Sequence, residues 1–205
     1  MPRLVDHTVR RAELAEALWE VVLTRGIHDV SVRSVAAQAG TSPGALRHYF
    51  TSQDELLGFA LQSVVDRVTA RLGPLLPTLR GRAGAQRILE QFLPLDPERR
   101  GETEVYLAFN VRAHLHTGLR AIRDDTETQS RRAVRHALQL LADDHLLGQG
   151  RRPATQAHQT YPLVDGLALH GTLWPDRYPP AHLRRTLRAH LDQLSEPLVG
   201  RKPGR

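Results

Sequence analysis

The chain has no cysteine and a single lysine, Lys202, among its 205 residues. Without cysteine it can form no disulfide, thiolate zinc site, iron–sulfur cluster or thiol nucleophile. Without an interior lysine it has neither the phosphate ligand of a P-loop nor a Schiff-base amine. No glycine triplet fits GxGxxG, because Gly148 and Gly150 run into Arg151, Arg152 and Pro153. An HExxH motif is missing as well. No uninterrupted apolar run reaches the ~18 residues of a membrane span, and no apolar signal segment opens the chain. The expectation is a cytoplasmic protein with no membrane partner and no cofactor.

What is present is an ordinary balance of 40% hydrophobic and 24% charged residues, on a chain long enough for one large or two small cores. The net charge is +6. That excess suits nucleic acid, anionic lipid or acidic partners, and it serves equally as a solubility device. Leu, Ala and Arg dominate and β-branched runs are scarce, which favours helix. Apolar spacing and turn residues predict about nine helices, near 8–25, 32–39, 43–50, 53–72, 83–93, 97–116, 119–147, 155–173 and 180–194, and no strand. The fold class is all-α. The tail from Gly200 is expected to be disordered.

The second and third helices carry the most chemistry. Ser31 is a suitable N-cap for a helix with Val32, Val35, Ala36 and Ala39 on one face, and Gly40 ends it. Ser42 then caps the next helix with Pro43 at its first position, and Leu46, Tyr49 and Phe50 anchor it. Two short helices joined by a Gly-containing turn form the pattern of a helix-turn-helix. Its second helix can offer an N-terminal turn to a DNA major groove. Ser52-Gln53-Asp54-Glu55 reads as a capping box opening a longer helix.

The run from Val30 to Leu57, including Ser31-Val32-Arg33, Ala39-Gly40-Thr41-Ser42-Pro43-Gly44-Ala45-Leu46 and His48-Tyr49-Phe50, resembles the DNA-binding domain of TetR-family repressors. Leu93-Pro94-Leu95-Asp96-Pro97-Glu98-Arg99-Arg100 and Leu163-Val164-Asp165-Gly166-Leu167-Ala168-Leu169 are similar to the C-terminal domain of the BetI-type branch. The resemblance implies a three-helix helix-turn-helix domain over residues 1–52. It also implies a helical effector-binding and dimerisation domain over 53–197, followed by a tail at 198–205. The implied function is a ligand-responsive regulator, a repressor that binds a palindromic double-stranded DNA operator as a homodimer and is released by a small molecule. The alternatives are an all-α enzyme and a helical adaptor without DNA binding, but the polar residues form no nucleophile–base set and no catalytic residue is expected.

By the same resemblance the DNA-binding residues are Ser31, Arg33, Thr41, Ser42, Pro43, Gly44, Ala45, Arg47, His48 and Tyr49, while Leu46 and Phe50 belong to the core. Two positions depart from the family pattern: many relatives carry Tyr where this chain has Arg47, and Lys where it has Gln53. Residues 1–52 hold six Arg against five acids, a net +1, so helix N-termini and hydroxyls must supply much of the phosphate binding. The expected ligand-binding residues are Phe59, Phe92, Tyr106, Phe109, Asn110, His114, His136, Tyr161 and Asp165. Each has a plain core or surface role as its alternative, and Asp165 could instead pair with Arg. The last two long helices are expected to form the dimer interface, with Gly166, Ala168 and Gly171 permitting close approach; an intramolecular core is the other reading. His114 and His116 lie ~200° apart on a helix, so no metal site is expected.

Overall fold

The computed structural model describes residues 7–196, so the expected disordered tail at 198–205 lies outside the described residues. Among the described residues there are nine α-helices and no strand. They are α1 (His7–Arg25), α2 (Val32–Gln38), α3 (Pro43–Leu46), α4 (Gln53–Leu72), α5 (Gly81–Leu89), α6 (Pro97–Leu115), α7 (Arg120–Asp143), α8 (Pro153–Leu173) and α9 (Pro180–Ser195). No described helix is long and apolar enough to cross a membrane.

Most boundaries lie within a few residues of the sequence expectation. Three helices stop four residues short of expectation: α3 at Leu46, α5 at Leu89, and α7, whose expected end is Leu147. Helix α7 stops at Asp143 because His145 adopts φ 54°. The Leu146 N–H then donates to the Leu141 carbonyl at 2.7 Å and the His145 N–H to that of Ala142 at 3.0 Å. This is the closure a glycine normally provides. With an imidazole there instead, nothing in the sequence marks the stop.

The described chain packs as two compact units. One comprises residues up to Ala70 together with Arg100–Asp124; the other comprises Arg71–Arg99 together with the chain from Asp125. This packing division is distinct from the functional boundary expected at 52/53.

In the first unit Leu14, Leu18, Val21 and Val22 form the buried stripe of α1. They meet Val35 and Ala36 of α2, Leu46 and Phe50, Leu56, Ala60 and Leu61 of α4, and Val105, Phe109 and Ala113 of α6. A Cβ on Gly101 would lie 3.1 Å from Val22, so α6 approaches α1 closely there. Arg67 stacks on Trp19 at 4.6 Å and pairs with Glu16 at 2.7 Å.

The second unit is built on α9, whose Leu183, Leu187, Leu191 and Leu194 recur at helical spacing and are all buried. They pack with Ile88 and Leu89 of α5, Leu138 and Leu141 of α7, and Val164 of α8. Gly171 belongs to this core: a Cβ there would sit 2.6 Å from Leu183 and 2.8 Å from Pro94. Its small size serves contact with its own α9 rather than a partner helix, which corrects the sequence expectation. Arg151 donates to the Gln193 and Glu196 carbonyls, satisfying the end of α9. Thr160, fully buried, hydrogen-bonds His190 at 2.8 Å. Burial and the nearby Arg151 hold the His190 imidazole below its usual pKa.

Candidate nucleic-acid interface

The α2–α3 segment is assembled by local hydrogen bonds. Ser31 Oγ accepts from the Ser34 N–H at 3.1 Å while Ser34 Oγ accepts from the Ser31 N–H at 2.9 Å, a reciprocal capping box. Ser34 Oγ in turn donates to the Asp29 carbonyl at 2.7 Å. Since Ser34 spends its proton there, the 3.0 Å contact between the two hydroxyls uses that of Ser31. The Ser31 hydroxyl is therefore occupied by its own cap.

At the other end of α2, Gly40 has φ 62°. Thr41 N–H donates to the Ala36 carbonyl at 2.9 Å and Gly40 N–H to that of Ala37 at 3.3 Å. That pair of bonds closes a Schellman turn and sends the chain directly into the Ser42 cap. Ser42 Oγ accepts from the Ala45 N–H at 3.1 Å, with Pro43 at the first helical position. Regular helix ends at Leu46. Tyr49 and His48 bond three residues back rather than four, so the run to Phe50 continues as tight turns.

Leu46 and Phe50 are buried at 1% and 4% exposure and pin this run to the first unit. Ser42, Pro43, Gly44, Ala45, Arg47 and His48 are exposed, as is Arg33 on α2. Thr41, Tyr49 and Ser31 are half-buried. All ten expected DNA-binding residues therefore lie on two successive helices and their turns within one unit.

The first turn of α4 carries contacts that no local pattern announces. Glu55 N–H donates to Ser52 Oγ at 3.1 Å, but the Glu55 carboxylate reaches past Ser52 to the Thr51 N–H at 2.7 Å. Gln53 Nε2 donates to the Val30 carbonyl at 2.8 Å, tying α4 to the entrance of α2. Asp54, expected only as part of the cap, accepts from Arg112 Nε at 2.6 Å and has His116 Nδ1 at 3.6 Å. Its partners lie about sixty residues further along, so sequence spacing gives no signal of them.

The expected ligand-binding residues divide between the units. Phe59, Tyr106, Phe109, Asn110 and His114 fall in the first. Phe109 is fully buried, and Phe59 lies between the Phe50 ring at 4.9 Å and the Arg11 guanidinium at 5.2 Å. The Asn110 amide donates to the Tyr106 carbonyl one turn back at 2.8 Å, and His114 is exposed. Phe92, His136, Tyr161 and Asp165 fall in the second unit, with His136 exposed and Phe92 packed at the core edge.

Tyr161 and Asp165 form one group with α7. Arg131 stacks on the Tyr161 ring at 4.7 Å and pairs with Glu127 at 2.7 Å. Burial, with the Glu127 charge added, pushes the Asp165 carboxyl up to about 6, against the opposing pull of Arg131 and a hydrogen bond from Tyr161. Among the described residues no group of three or more His, Asp or Glu is placed to hold a metal ion.

Residues 14–58 match the model for bacterial regulatory proteins of the tetR family, and residues 81–196 match that for the BetI-type transcriptional repressor C-terminal domain. The HTH-type transcriptional regulator PksA of Bacillus subtilis (strain 168) is 37% identical over 95% of this chain and 94% of its own length. The crystal structure of a transcriptional regulator from Rhodococcus sp. Rha1 has 33% identity and a TM-score of 0.72, covering 90% of this chain and 95% of that one. A regulator from Saccharomonospora viridis, solved in complex with choline, has the same fold at 21% identity and a TM-score of 0.74, covering 90% and 96%. With one helix-turn-helix match, one C-terminal match and a full-length relative agreeing, the chain belongs to the TetR family and is a DNA-binding transcriptional regulator with a BetI-type ligand-binding C-terminal domain, not an enzyme.

Proposed function

We propose that the protein is a repressor that binds a palindromic operator as a homodimer and leaves it when a small molecule binds. In this reading residues 1–52 are the DNA-binding domain and residues 53–197 the effector-binding and dimerisation domain. The observation that carries it is the two-sidedness of the α3 run: Leu46 and Phe50 are buried while Ser42, Pro43, Gly44, Ala45, Arg47 and His48 face out. Gly44 and Ala45 let the backbone come close to base edges, and the Ala45 methyl suits a thymine methyl. Pro43 stiffens the first turn. Arg47 offers a planar fork for guanine or phosphate, and His48 extends the same face. Thr41, Tyr49 and Arg33 hold phosphates. With the Ser31 hydroxyl occupied by its cap, the phosphate there meets the N–H groups of the α2 N-terminus.

The dimer interface in this reading is the outward face of α8. Gly166, where a Cβ would meet no neighbouring element within 4 Å, is followed one and two turns on by Leu169 and Leu173, 38% and 54% exposed, and then by Trp174 at 50%. For the effector, Tyr161 and Asp165 have the strongest chemistry among the nine expected residues: a buried ring stacked by Arg131 lies beside a half-buried carboxylate. The choline in the Saccharomonospora viridis regulator supports a small molecule as the class of effector.

Selection of fragments from a genomic DNA pool by the purified protein tests the reading. A palindromic site protected from nuclease over both halves is the expected result, with compounds that raise the melting temperature weakening that protection. A pool with no enriched site overturns DNA recognition, and stabilising compounds that never weaken binding overturn the release step.

A further inference from the structure

Resting on the DNA-binding reading above, we propose that Asp54 and Arg112 are positioning residues for operator recognition: their ion pair fixes the first turn of α4, and through it the helix-turn-helix, in the orientation that DNA requires. Arg112 Nε lies 2.6 Å from one Asp54 carboxylate oxygen, and His116 Nδ1 lies 3.6 Å from the other. Arg112 sits on the last turn of α6 and His116 one residue beyond its end, and the His116 N–H donates to the Arg112 carbonyl at 3.0 Å. The carboxylate is at the N-terminus of α4 and the Arg112 guanidinium is at the C-terminus of α6, so each charge also suits the dipole of its own helix. The next residue back, Gln53, holds the Val30 carbonyl at 2.8 Å, immediately before the α2 cap. One turn of α4 therefore links α6 on one side to the start of α2 on the other. The packing beneath is continuous: Ala113 and Leu119 are buried in the same core as Val35 and Leu46, and Ile122 reaches Gly58 on α4. None of Gln53, Asp54 or Arg112 lies on α2 or α3, and in this proposal the pair acts on DNA through geometry.

The test compares full-length wild type with Asp54→Asn, Arg112→Gln, the double variant and Arg112→Lys. Binding is measured on the selected operator and on one isolated half-site, across a salt series and well below each melting temperature. The expected result is a loss of about tenfold on the operator for each neutral variant and a smaller loss on the half-site. The double variant should be no worse than the weaker single, because both remove the same link. Arg112→Lys retains the charge and should restore most of the affinity. The salt slope should stay unchanged, since no phosphate contact is removed. If Asp54→Asn does not fold, the Arg112 variants alone carry the comparison, because the Arg112 side chain is 43% exposed. Equal affinity in all variants overturns the proposal, and so do additive losses or a slope lower by about one unit per half-site. Failure of the wild type itself to select any DNA would overturn the underlying reading instead.

Discussion

At single positions, the structure separates side chains occupied by the fold from those available for recognition. Ser31 and Gln53 are spent on internal hydrogen bonds, whereas Arg47 is exposed and makes no ion pair among those of the described residues. If Arg47 reads a base, Arg47→Ala should cost about 1–3 kcal/mol per half-site and relax preference at one symmetric operator position. If it holds phosphate, the loss should be equal on all sequences and the salt slope should fall by about one unit per half-site. Titrations of operator and random duplex at several salt concentrations distinguish these, and no change in affinity, preference or slope would remove Arg47 from the interface. Asp165 offers a second test. Its folded pKa of about 6 lies above the ordinary carboxylate value of 3.8, so the protonated form is favoured in the folded state. Its contribution to stability is complete below about pH 3.8 and is lost as pH rises through about 6. Asp165→Asn should therefore raise the melting temperature near pH 8, where the wild type buries a carboxylate beside Glu127, and give little change near pH 4. A variant that melts lower than wild type at about pH 8 would show that Arg131 and Tyr161 outweigh the burial cost.

At the level of helices and turns, what was legible in the sequence was whatever has a local cause. Ser31, Ser42 and Ser52 each cap a helix, Pro43 opens one, and Gly40 closes one, all as spacing and residue type require. Three features were not legible because their causes are long-range or go against residue preference. His145 ends α7 in a conformation that imidazole tolerates but does not announce. Gly171 resembled a small residue at a helix–helix seam, and only the packing shows that the seam is with its own α9 and Pro94. Asp54 looked complete as part of a cap until α6 supplied Arg112. Of the candidate site, the exposed residues of the α2–α3 run could be placed together from sequence because they share one short segment. The ligand candidates could not be resolved, because they are scattered over several helices with no common spacing. Gly40 tests the local argument. Space is open around its Cα, so Gly40→Ala meets no clash and isolates the effect of φ 62°. The variant should lose about 1–2 kcal/mol, read as a melting temperature lower by a few degrees. Unchanged melting would mean that the Schellman turn relaxes freely into another closure.

At the scale of the whole molecule, the proposed operator recognition depends on two heads acting together. In a two-fold dimer every interface residue meets a symmetric copy of the same surface, so one substitution is introduced twice. Gly171→Arg would be a poor probe of that interface, because it would drive a guanidinium into the core between Leu183 and Pro94 and unfold the second unit. Leu173→Arg is the better one. Leu173 is more than half exposed and outside the buried core, so the change should alter protomer stability by no more than about 0.5 kcal/mol. If α8 forms the dimer, two added cations would face each other across a desolvated seam, and sedimentation should show monomer. Operator affinity should then fall steeply, since a monomer engages one half-site and gains nothing from the second, whereas a dimer binds the second half-site at high effective concentration. Affinity for an isolated half-site should stay near that of wild type, because the α3 face is untouched. A Leu173→Arg protein that sediments as a dimer and binds the full operator normally would place the interface elsewhere and leave the exposed leucines of α8 to another partner.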